Sequence, residues 1–148
     1  MIFVKQLLQG KPAEVWTIGP RDTAYRALEF MAEKNIGALP VVDADAGGQL
    51  IGMFSERDYA RKVILKDRSS RATSVGELMS HPVVFVGPDE TIETCMTLMT
   101  NQHIRHLPVL DGGRLVGLLS IGDLVKAIIA SQQSLVKDLE NYIIGARS

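Results

Sequence analysis

The chain contains the same sequence pattern twice. Residues 20–43, which end in Ile-Gly-Ala-Leu-Pro-Val-Val-Asp, return 68 positions later as residues 88–111, which end in Ile-Arg-His-Leu-Pro-Val-Leu-Asp. The first copy then carries three extra residues, and the match resumes between residues 47–58 and 112–123. An insertion at a glycine-flanked turn is what duplicated folded units tolerate. The repetition predicts two similar units related by a pseudo-twofold axis, with two matching clefts.

Size and charge set the class of protein. With 148 residues, the chain is long enough for one compact domain, or for two very small ones that share a core. Each unit alone, at roughly 60–70 residues, would be marginally stable, so we expect the halves to bury their apolar faces against each other. The net charge of −1 gives no general attraction to nucleic acid or to a membrane surface. Neither is therefore expected as a partner.

The location expected from composition is the cytoplasm. The single cysteine, Cys95, excludes an internal disulfide framework and a cysteine-rich metal site. No apolar run approaches the roughly 18–20 residues that span a bilayer. The first residues also lack the long apolar stretch of a signal peptide.

Hydrophobic periodicity predicts an α/β (α+β) fold in which each unit runs β-α-β-β-α. Short β-prone segments at 15–18 and 83–86 each precede a helix with apolar residues at i, i+3, i+4 and i+7. Two strands follow, and Asp111-Gly112-Gly113 predicts a tight hairpin between them in the second unit. The helix faces are expected to consist of Ala24, Ala27, Leu28 and Met31 in the first unit and of Ile92, Cys95, Met96 and Met99 in the second.

The pattern also suggests boundaries. We expect a first unit at 1–65, a polar linker at 66–73, a second unit at 74–130 and a helical extension at 131–148. Spacings of three and four residues in the last helix indicate either a coiled-coil-like dimer seam or an amphipathic helix packed on its own domain. The residues of this predicted seam are Val125, Ile128, Gln132, Leu135, Leu139 and Tyr142.

Each unit carries the motif Gly-x-x-Ser-x-x-Asp where its last strand meets a helix. Its residues are Gly52, Ser55 and Asp58 in the first unit and Gly117, Ser120 and Asp123 in the second. Ser-x-x-Asp is typical of a capping box, in which the hydroxyl and the carboxylate satisfy backbone N–H groups at the helix start. The same carboxylate could accept hydrogen bonds from vicinal ribose hydroxyls, and the glycine would let a ligand approach the strand. The two interpretations are compatible.

Together these motifs identify a family resemblance. Two β-α-β-β-α units, each with Leu-Pro-Val-(Val/Leu)-Asp before the hairpin and Gly-x-x-Ser-x-x-Asp after it, resemble a tandem pair of cystathionine-β-synthase (CBS) domains, a Bateman module. The resemblance covers about residues 1–130. It implies a free-standing pair whose clefts bind adenosine-containing ligands such as AMP, ATP or NAD(H). It further implies a homodimer that senses such a ligand and regulates a partner protein.

The resemblance also implies which residues bind the ligand. Asp58 and Asp123 would hold ribose hydroxyls, with Ser55 and Ser120 beside them. Adenine would contact the backbone and side chains of Ile18, Ile36, Gly37 and Ala38 in one cleft, and of Val86, Ile104, Arg105 and His106 in the other. Thr17, Pro40 and Pro108 complete the expected binding set.

The two clefts are not expected to be equal. The resemblance implies that residues before Leu-Pro in one unit reach the phosphate of a nucleotide held by the other. The second unit supplies Arg105 and His106 there, whereas the first supplies Gly37 and Ala38. Arg57 precedes Asp58, whereas Gly122 precedes Asp123. We therefore expect tight, salt-sensitive binding of phosphorylated adenosine at Asp58. The Asp123 cleft should bind more weakly, or take a larger ligand such as a dinucleotide beside Gly122.

Two other functions compete with a regulatory binding protein. A nucleotide-hydrolysing enzyme would need a positioned base or a metal pair. The histidines do not have metal-ligand spacing with Cys95, which falls on an apolar helix face, and no Walker loop or Gly-x-Gly-x-x-G motif is present. A nucleic-acid-binding adaptor could use the basic stretch from Arg57 to Arg68, although such a stretch is usually a solvated helix face.

Overall fold

The computed structural model describes residues 1–12 and 14–147. Two antiparallel hairpins and several helices alternate along the chain. The elements are α1 (Val4–Gln9), α2 (Ala24–Lys34), β1 (Ala38–Asp43), β2 (Gln49–Ser55), α3 (Glu56–Tyr59), α4 (Val75–Leu78), α5 (Ile92–Gln102), β3 (His106–Asp111), β4 (Arg114–Ser120) and α6 (Ile121–Arg147). A 3-10 turn (Ala44–Ala46) joins β1 to β2, and α3 continues into a π-helical turn (Ala60–Ile64).

The two hairpins have the same register, which confirms the duplication at the level of structure. β1 pairs with β2 and β3 pairs with β4, and each pair shifts register at the matching place, after Val41 and after Val109. In the second hairpin Asp111 pairs with Arg114, so Gly112 and Gly113 form a two-residue turn. Both have positive φ, +59° and +83°, which a type I′ turn requires and glycine adopts without strain.

The first strand predicted for each unit is much shorter than expected. Ile18 and Val86 each form only a single parallel bridge, to Val41 and Val109 respectively. Ile18 N–H donates to the Pro40 carbonyl at 3.0 Å, and its own carbonyl accepts from Val42 at 2.9 Å. Each hairpin is therefore extended by a one-residue bridge rather than by a third strand. The residues before Ile18 and Val86 do not continue this pairing.

The short helices α1 and α4 are exchanged between the repeats. Val4 and Leu8 of α1 pack into the apolar cluster of the second repeat, around Leu107 and Leu119. Val75 and Leu78 of α4 pack into the cluster of the first repeat. Backbone bonds hold the exchange: Val4 N–H donates to the Glu90 carbonyl and Val75 N–H to the Asp22 carbonyl, both at 2.8 Å. The helix α1, which precedes the first repeat in sequence, therefore completes the core of the second repeat. The helix α4, which precedes the second repeat, completes the core of the first.

The predicted helix faces form the centres of the two cores. Ala24, Ala27 and Met31 of α2 are buried in one cluster, and the equivalent residues of α5 are buried in the other. Thr23 and Thr91 cap the starts of these two helices, because their hydroxyls accept from Arg26 N–H and Thr94 N–H.

The last helix runs well past the core. Ile128 still packs against the second cluster, but Leu135, Leu139 and Tyr142 of the predicted seam are each more than half exposed. The helix is therefore not packed on its own domain along its full length. Within the described ranges, no helix combines the length and the apolar character needed to cross a bilayer.

Candidate functional site

The larger of two clefts between the repeats contains Asp58. It encloses about 770 Å³ and draws its walls from both repeats. β2 and α3 supply Ser55, Arg57 and Asp58, and the segments around Val83 and Arg105 close the opposite side. Because both repeats contribute residues to the walls, a ligand in this cleft would touch both halves of the molecule.

Asp58 both caps its helix and faces the cleft. Ser55 N–H donates to Asp58 Oδ2 at 3.0 Å and Asp58 N–H donates to Ser55 Oγ at 3.2 Å, which is the reciprocal capping box predicted from the motif. The other carboxylate oxygen, Oδ1, accepts from the Ser80 hydroxyl at 3.0 Å. Lys62 Nζ lies 3.3 Å from Oδ1. The cap therefore uses Oδ2, while Oδ1 is held by Ser80 and Lys62, and Asp58 is among the residues that line the cleft.

Four basic side chains line the same cleft: Arg57, Arg61, Lys62 and Arg105. Arg57 Nη1 donates to the carbonyl of His103 at 2.6 Å, so this guanidinium links the two repeats across the cleft mouth. Glu56 and Asp58 are the acidic residues of the wall. Because the basic side chains outnumber the acidic ones, the wall of this cleft favours an anionic group of a ligand close to the Asp58 carboxylate.

The smaller cleft lies beside Ser120. It encloses about 410 Å³, and its apolar wall includes Val15, Trp16, Ile36 and Leu118. The lining also carries the ammonium groups of Lys11 and Lys34 and the carboxylate of Glu14. Lys34 Nζ lies 4.1 Å from the centre of the Trp16 ring, a cation–π contact.

Asp123 is paired with Lys11, a residue that lines the smaller cleft. Ser120 and Asp123 repeat the capping box, with Ser120 N–H donating to Asp123 Oδ2 at 2.8 Å. Lys11 Nζ donates to the same oxygen at 2.7 Å and to the Leu118 carbonyl at 2.9 Å. Burial acts to raise the pKa of Asp123, but the hydrogen bonds and the charge of Lys11 bring it below its ordinary value.

His106 and Gly37 lie between the two clefts and line both. Burial lowers the pKa of His106; Asp123 acts in the opposite direction, while Lys11 and Arg105 add to the lowering. A lowered pKa favours the uncharged form of the imidazole, so Arg57 and Arg105 carry the positive charge among the residues expected to reach a phosphate.

The structure brings together most of the expected site, but not all of it. In the larger cleft it gathers Gly37, Ala38, Ser55, Arg57, Asp58, Ile104, Arg105 and His106, and in the smaller one Ile36, Gly37, His106 and Ser120. The remaining expected residues do not line either cleft: Thr17, Ile18, Pro40, Val86, Pro108, Gly122 and Asp123. Ile18 and Val86 are core residues, because their bridges to the hairpins hold them inside.

Sequence reasoning missed several lining residues. Val83 and Val84, rather than Val86, form the apolar wall of the larger cleft, and Ser80 sits beside Asp58. Arg61 and Lys62 also line it, although the basic stretch was interpreted as a solvated helix face. The spacing gave a usable signal, since Lys62 follows Asp58 by four residues and so shares its helix face.

The other groups considered for chemistry are accounted for. Cys95 is fully buried, as its periodicity predicted, and burial together with the nearby charge of Glu90 raises the pKa of its thiol to about 11. A buried thiol that stays protonated at neutral pH is a poor nucleophile. In the part of the chain that the structure describes, no group of three or more His, Cys, Asp or Glu residues is placed to hold a metal ion.

A family model and a curated relative both identify CBS domains in this chain. The CBS domain model matches residues 11–65 and 75–130. The chain is 39% identical, over 84% of its length, to the mitochondrial CBS domain-containing protein CBSX3 of Arabidopsis thaliana, and it spans 61% of the length of that relative.

Solved structures show the same fold. A protein with CBS domains from Burkholderia ambifaria MC40-6 superposes with a TM-score of 0.83 at 51% identity, covering 88% of this chain and 96% of the other. The CBS domain pair of protein MJ0100, solved with 5′-methylthioadenosine and S-adenosyl-L-methionine, has a TM-score of 0.77 at 25% identity, covering 88% and 98%. The chain belongs to the CBS domain family and is a tandem pair of such domains.

Proposed function

We propose that this CBS pair is a regulatory module that binds a phosphorylated adenosine, such as AMP, ATP or NAD(H), in the larger cleft. The observation that carries the proposal is the placement of Asp58 in the same cleft as four basic side chains. A carboxylate suits the ribose hydroxyls, and the guanidinium groups suit phosphate oxygens. The MJ0100 pair, which holds two adenosine compounds without phosphate, supports the adenosine part of this ligand.

Regulation follows from the position of the cleft between the repeats. Asp58 belongs to the first repeat and Arg105 to the second, so a nucleotide held by both would favour one relative arrangement of the halves. A ligand shifts a conformational equilibrium only to the extent that it binds one state better than the other. In this proposal the protein binds without turnover, and its output is a change of shape read by a partner protein. The proposed location remains the cytoplasm, on the composition argument.

Alanine substitution of the two motif aspartates tests the proposal. Asp58→Ala is expected to lower the affinity for ATP at least about tenfold, because hydrogen bonds to a charged group are worth roughly 1.5–3 kcal/mol. Asp123→Ala should change the same affinity less than about twofold. Calorimetric titration with AMP, ATP, NADH and S-adenosylmethionine, one at a time, gives both values. Loss of binding in Asp123→Ala with retention in Asp58→Ala would contradict the assignment.

The proposal includes a homodimer formed through α6. Its support is the apolar seam that continues beyond the core, where Leu135 and Leu139 are 59% and 53% exposed. Leu135→Glu combined with Leu139→Glu is expected to convert a dimer into a monomer, because four like charges would face one another across the seam. Sedimentation velocity measures the change, with Ser134→Glu and Asn141→Glu as an equally charged pair off the seam. A dimer that survives the seam substitutions would place the contact elsewhere.

A further inference from the structure

The helix that begins at Glu56 presents two columns of side chains to the larger cleft. Residues four positions apart lie above one another on a helix, so Asp58 and Lys62 form one column. Arg57 and Arg61 form the other. All four line the cleft, but the two columns have different surroundings.

The column of Asp58 and Lys62 is engaged with the segment around the end of α4. Lys62 Nζ lies 3.3 Å from Asp58 Oδ1 and donates to the Leu78 carbonyl at 2.8 Å. The Ser80 hydroxyl donates to the same carboxylate oxygen at 3.0 Å. The positive charge of Lys62 is therefore balanced by the neighbouring carboxylate.

The column of Arg57 and Arg61 is directed at the second repeat. Arg57 Nη1 donates to the His103 carbonyl at 2.6 Å. Arg105 follows His103 by two residues and lines the same cleft. Arg57 thus reaches the segment of the second repeat that carries Arg105.

Arg61 lies one helical turn beyond Arg57, about 6 Å along the axis. Within residues 1–12 and 14–147, no carboxylate lies within salt-bridge distance of its guanidinium. The turn that contains it is π-helical, with Leu65 N–H donating to the Ala60 carbonyl at 3.1 Å. Single π-helical turns within helices are frequent at functional sites. Arg61 is therefore an unbalanced cation in the cleft wall, carried by an unusual turn.

The spacing of these cations suits a chain of phosphates. A guanidinium pairs with phosphate oxygens through two N–H groups at once. A ribose held by Asp58 would bring its first phosphate beside Arg57, the preceding residue, and towards the segment of Arg105. Further phosphates that continue along the helix would then meet Arg61.

We infer that Arg61 is a specificity-determining residue that contacts the second and third phosphates of the ligand, so that the larger cleft prefers a nucleoside polyphosphate to a monophosphate. The inference rests on the proposed function of this cleft and narrows its ligand class. Arg57 and Arg105 then contact the phosphate that AMP, ADP and ATP share.

Arg61→Gln tests this inference, because glutamine keeps a polar side chain and removes the charge. Titration calorimetry with AMP, ADP and ATP is run in EDTA, so that no metal ion neutralises the phosphates. We expect the wild type to bind ATP at least about tenfold more tightly than AMP, with ADP between them. Arg61→Gln should bind ATP and AMP within about threefold of each other. Its affinity for AMP should stay within about twofold of the wild type, which also shows that the cleft is intact.

Lys66→Gln is the matched control. It removes one positive charge from the same basic stretch, but Lys66 is exposed and lies outside both clefts. This variant should keep the preference for ATP. An equal loss of that preference in Lys66→Gln would overturn the inference, because net charge rather than contact would then explain it. Arg61→Ala provides a second neutral side chain should the glutamine variant fail to fold.

The same titrations separate the inference from the function on which it rests. Equal affinities of the wild type for AMP and ATP would overturn the inference and leave the nucleotide site in place. Loss of AMP and ATP binding by the same factor in Arg61→Gln would overturn it as well, because Arg61 would then act on a part that both ligands share. A wild type that gives no heat with any of the three nucleotides would overturn the proposed function, and the inference with it.

Discussion

Arg105→Ala is expected to weaken ATP binding about 30-fold while leaving adenosine binding within about twofold. The loss corresponds to about 2 kcal/mol, the middle of the range for a hydrogen bond to a charged group. Arg105 is the best choice among the cations of the larger cleft, because Arg57 is already bonded to the His103 carbonyl. In the described part of the chain, Arg105 has no carboxylate within salt-bridge distance.

Titration calorimetry at two salt concentrations measures this effect. Since Arg105 is exposed, the contribution of its charge should shrink as salt is raised. Arg114→Ala is the matched control, because Arg114 is an exposed arginine at the start of β4 and lies outside both clefts. An equal loss for adenosine and ATP would mean that Arg105 shapes the cleft rather than contacting phosphate, and the proposed bridge between the repeats would be wrong.

Local sequence signals predicted the repeated parts of the fold well. The Gly112-Gly113 turn, the apolar faces of α2 and α5, and the Ser-x-x-Asp capping boxes all depend on residues within a few positions of one another. Such patterns directly encode backbone geometry and burial. The duplication strengthened each of these predictions, because a weak pattern in one unit was supported by its counterpart in the other.

Long-range packing was beyond the reach of these signals. The exchange of α1 and α4 puts Val4 in the same apolar cluster as Leu119, and neither residue's neighbours in sequence indicate the other. For a related reason, Val83 and Val84 form the apolar wall of the larger cleft, whereas the sequence had pointed to Val86. The bridge from Val86 to Val109 fixes one residue in the core, and the chain before it turns outward along the cleft.

The two clefts differ in volume and in lining residues, and unequal nucleotide affinity stays a prediction. The motif comparison pointed to Arg57 and Arg105 as features of one cleft only. The hydrogen bond between Lys11 and Asp123 joins residues 112 positions apart, and a lysine between Gly10 and Pro12 carries no local sign of a partner. The Asp58–Lys62 contact, in contrast, follows from helical spacing and could have been anticipated.

Gly52→Val is expected to lower the free energy of unfolding by about 3 kcal/mol, at the upper end of the range for overpacking a closed site. A Cβ at Gly52 would overlap Sδ of Met79, the residue that follows α4, and would lie 3.1 Å from its Cβ. Gly117 stands in the same relation to Leu8 of α1. These glycines therefore admit the exchanged segments against β2 and β4, and Gly117 also lines the smaller cleft.

Urea denaturation measures the loss, and Gly87→Val is the matched control. A Cβ at Gly87 meets nothing nearer than the Leu110 carbonyl at 3.8 Å, so that variant should stay within about 0.5 kcal/mol of wild type. Combining Gly52→Val with Met79→Ala should cost less than the sum of the two single changes, because truncating Met79 makes room for the valine. Strict additivity would mean that the two side chains do not compete for space.

The same substitution should reach the ligand site. Met53 and Ser80 exchange both backbone hydrogen bonds, at 3.1 and 2.8 Å, and the Ser80 hydroxyl contacts Asp58. Pushing Met79 outward must therefore move Ser80 away from the carboxylate proposed to bind ribose. We expect ATP affinity to fall in Gly52→Val and to recover in the double variant with Met79→Ala. Unchanged affinity in a destabilised Gly52→Val protein would show that the Ser80 contact has no part in positioning Asp58.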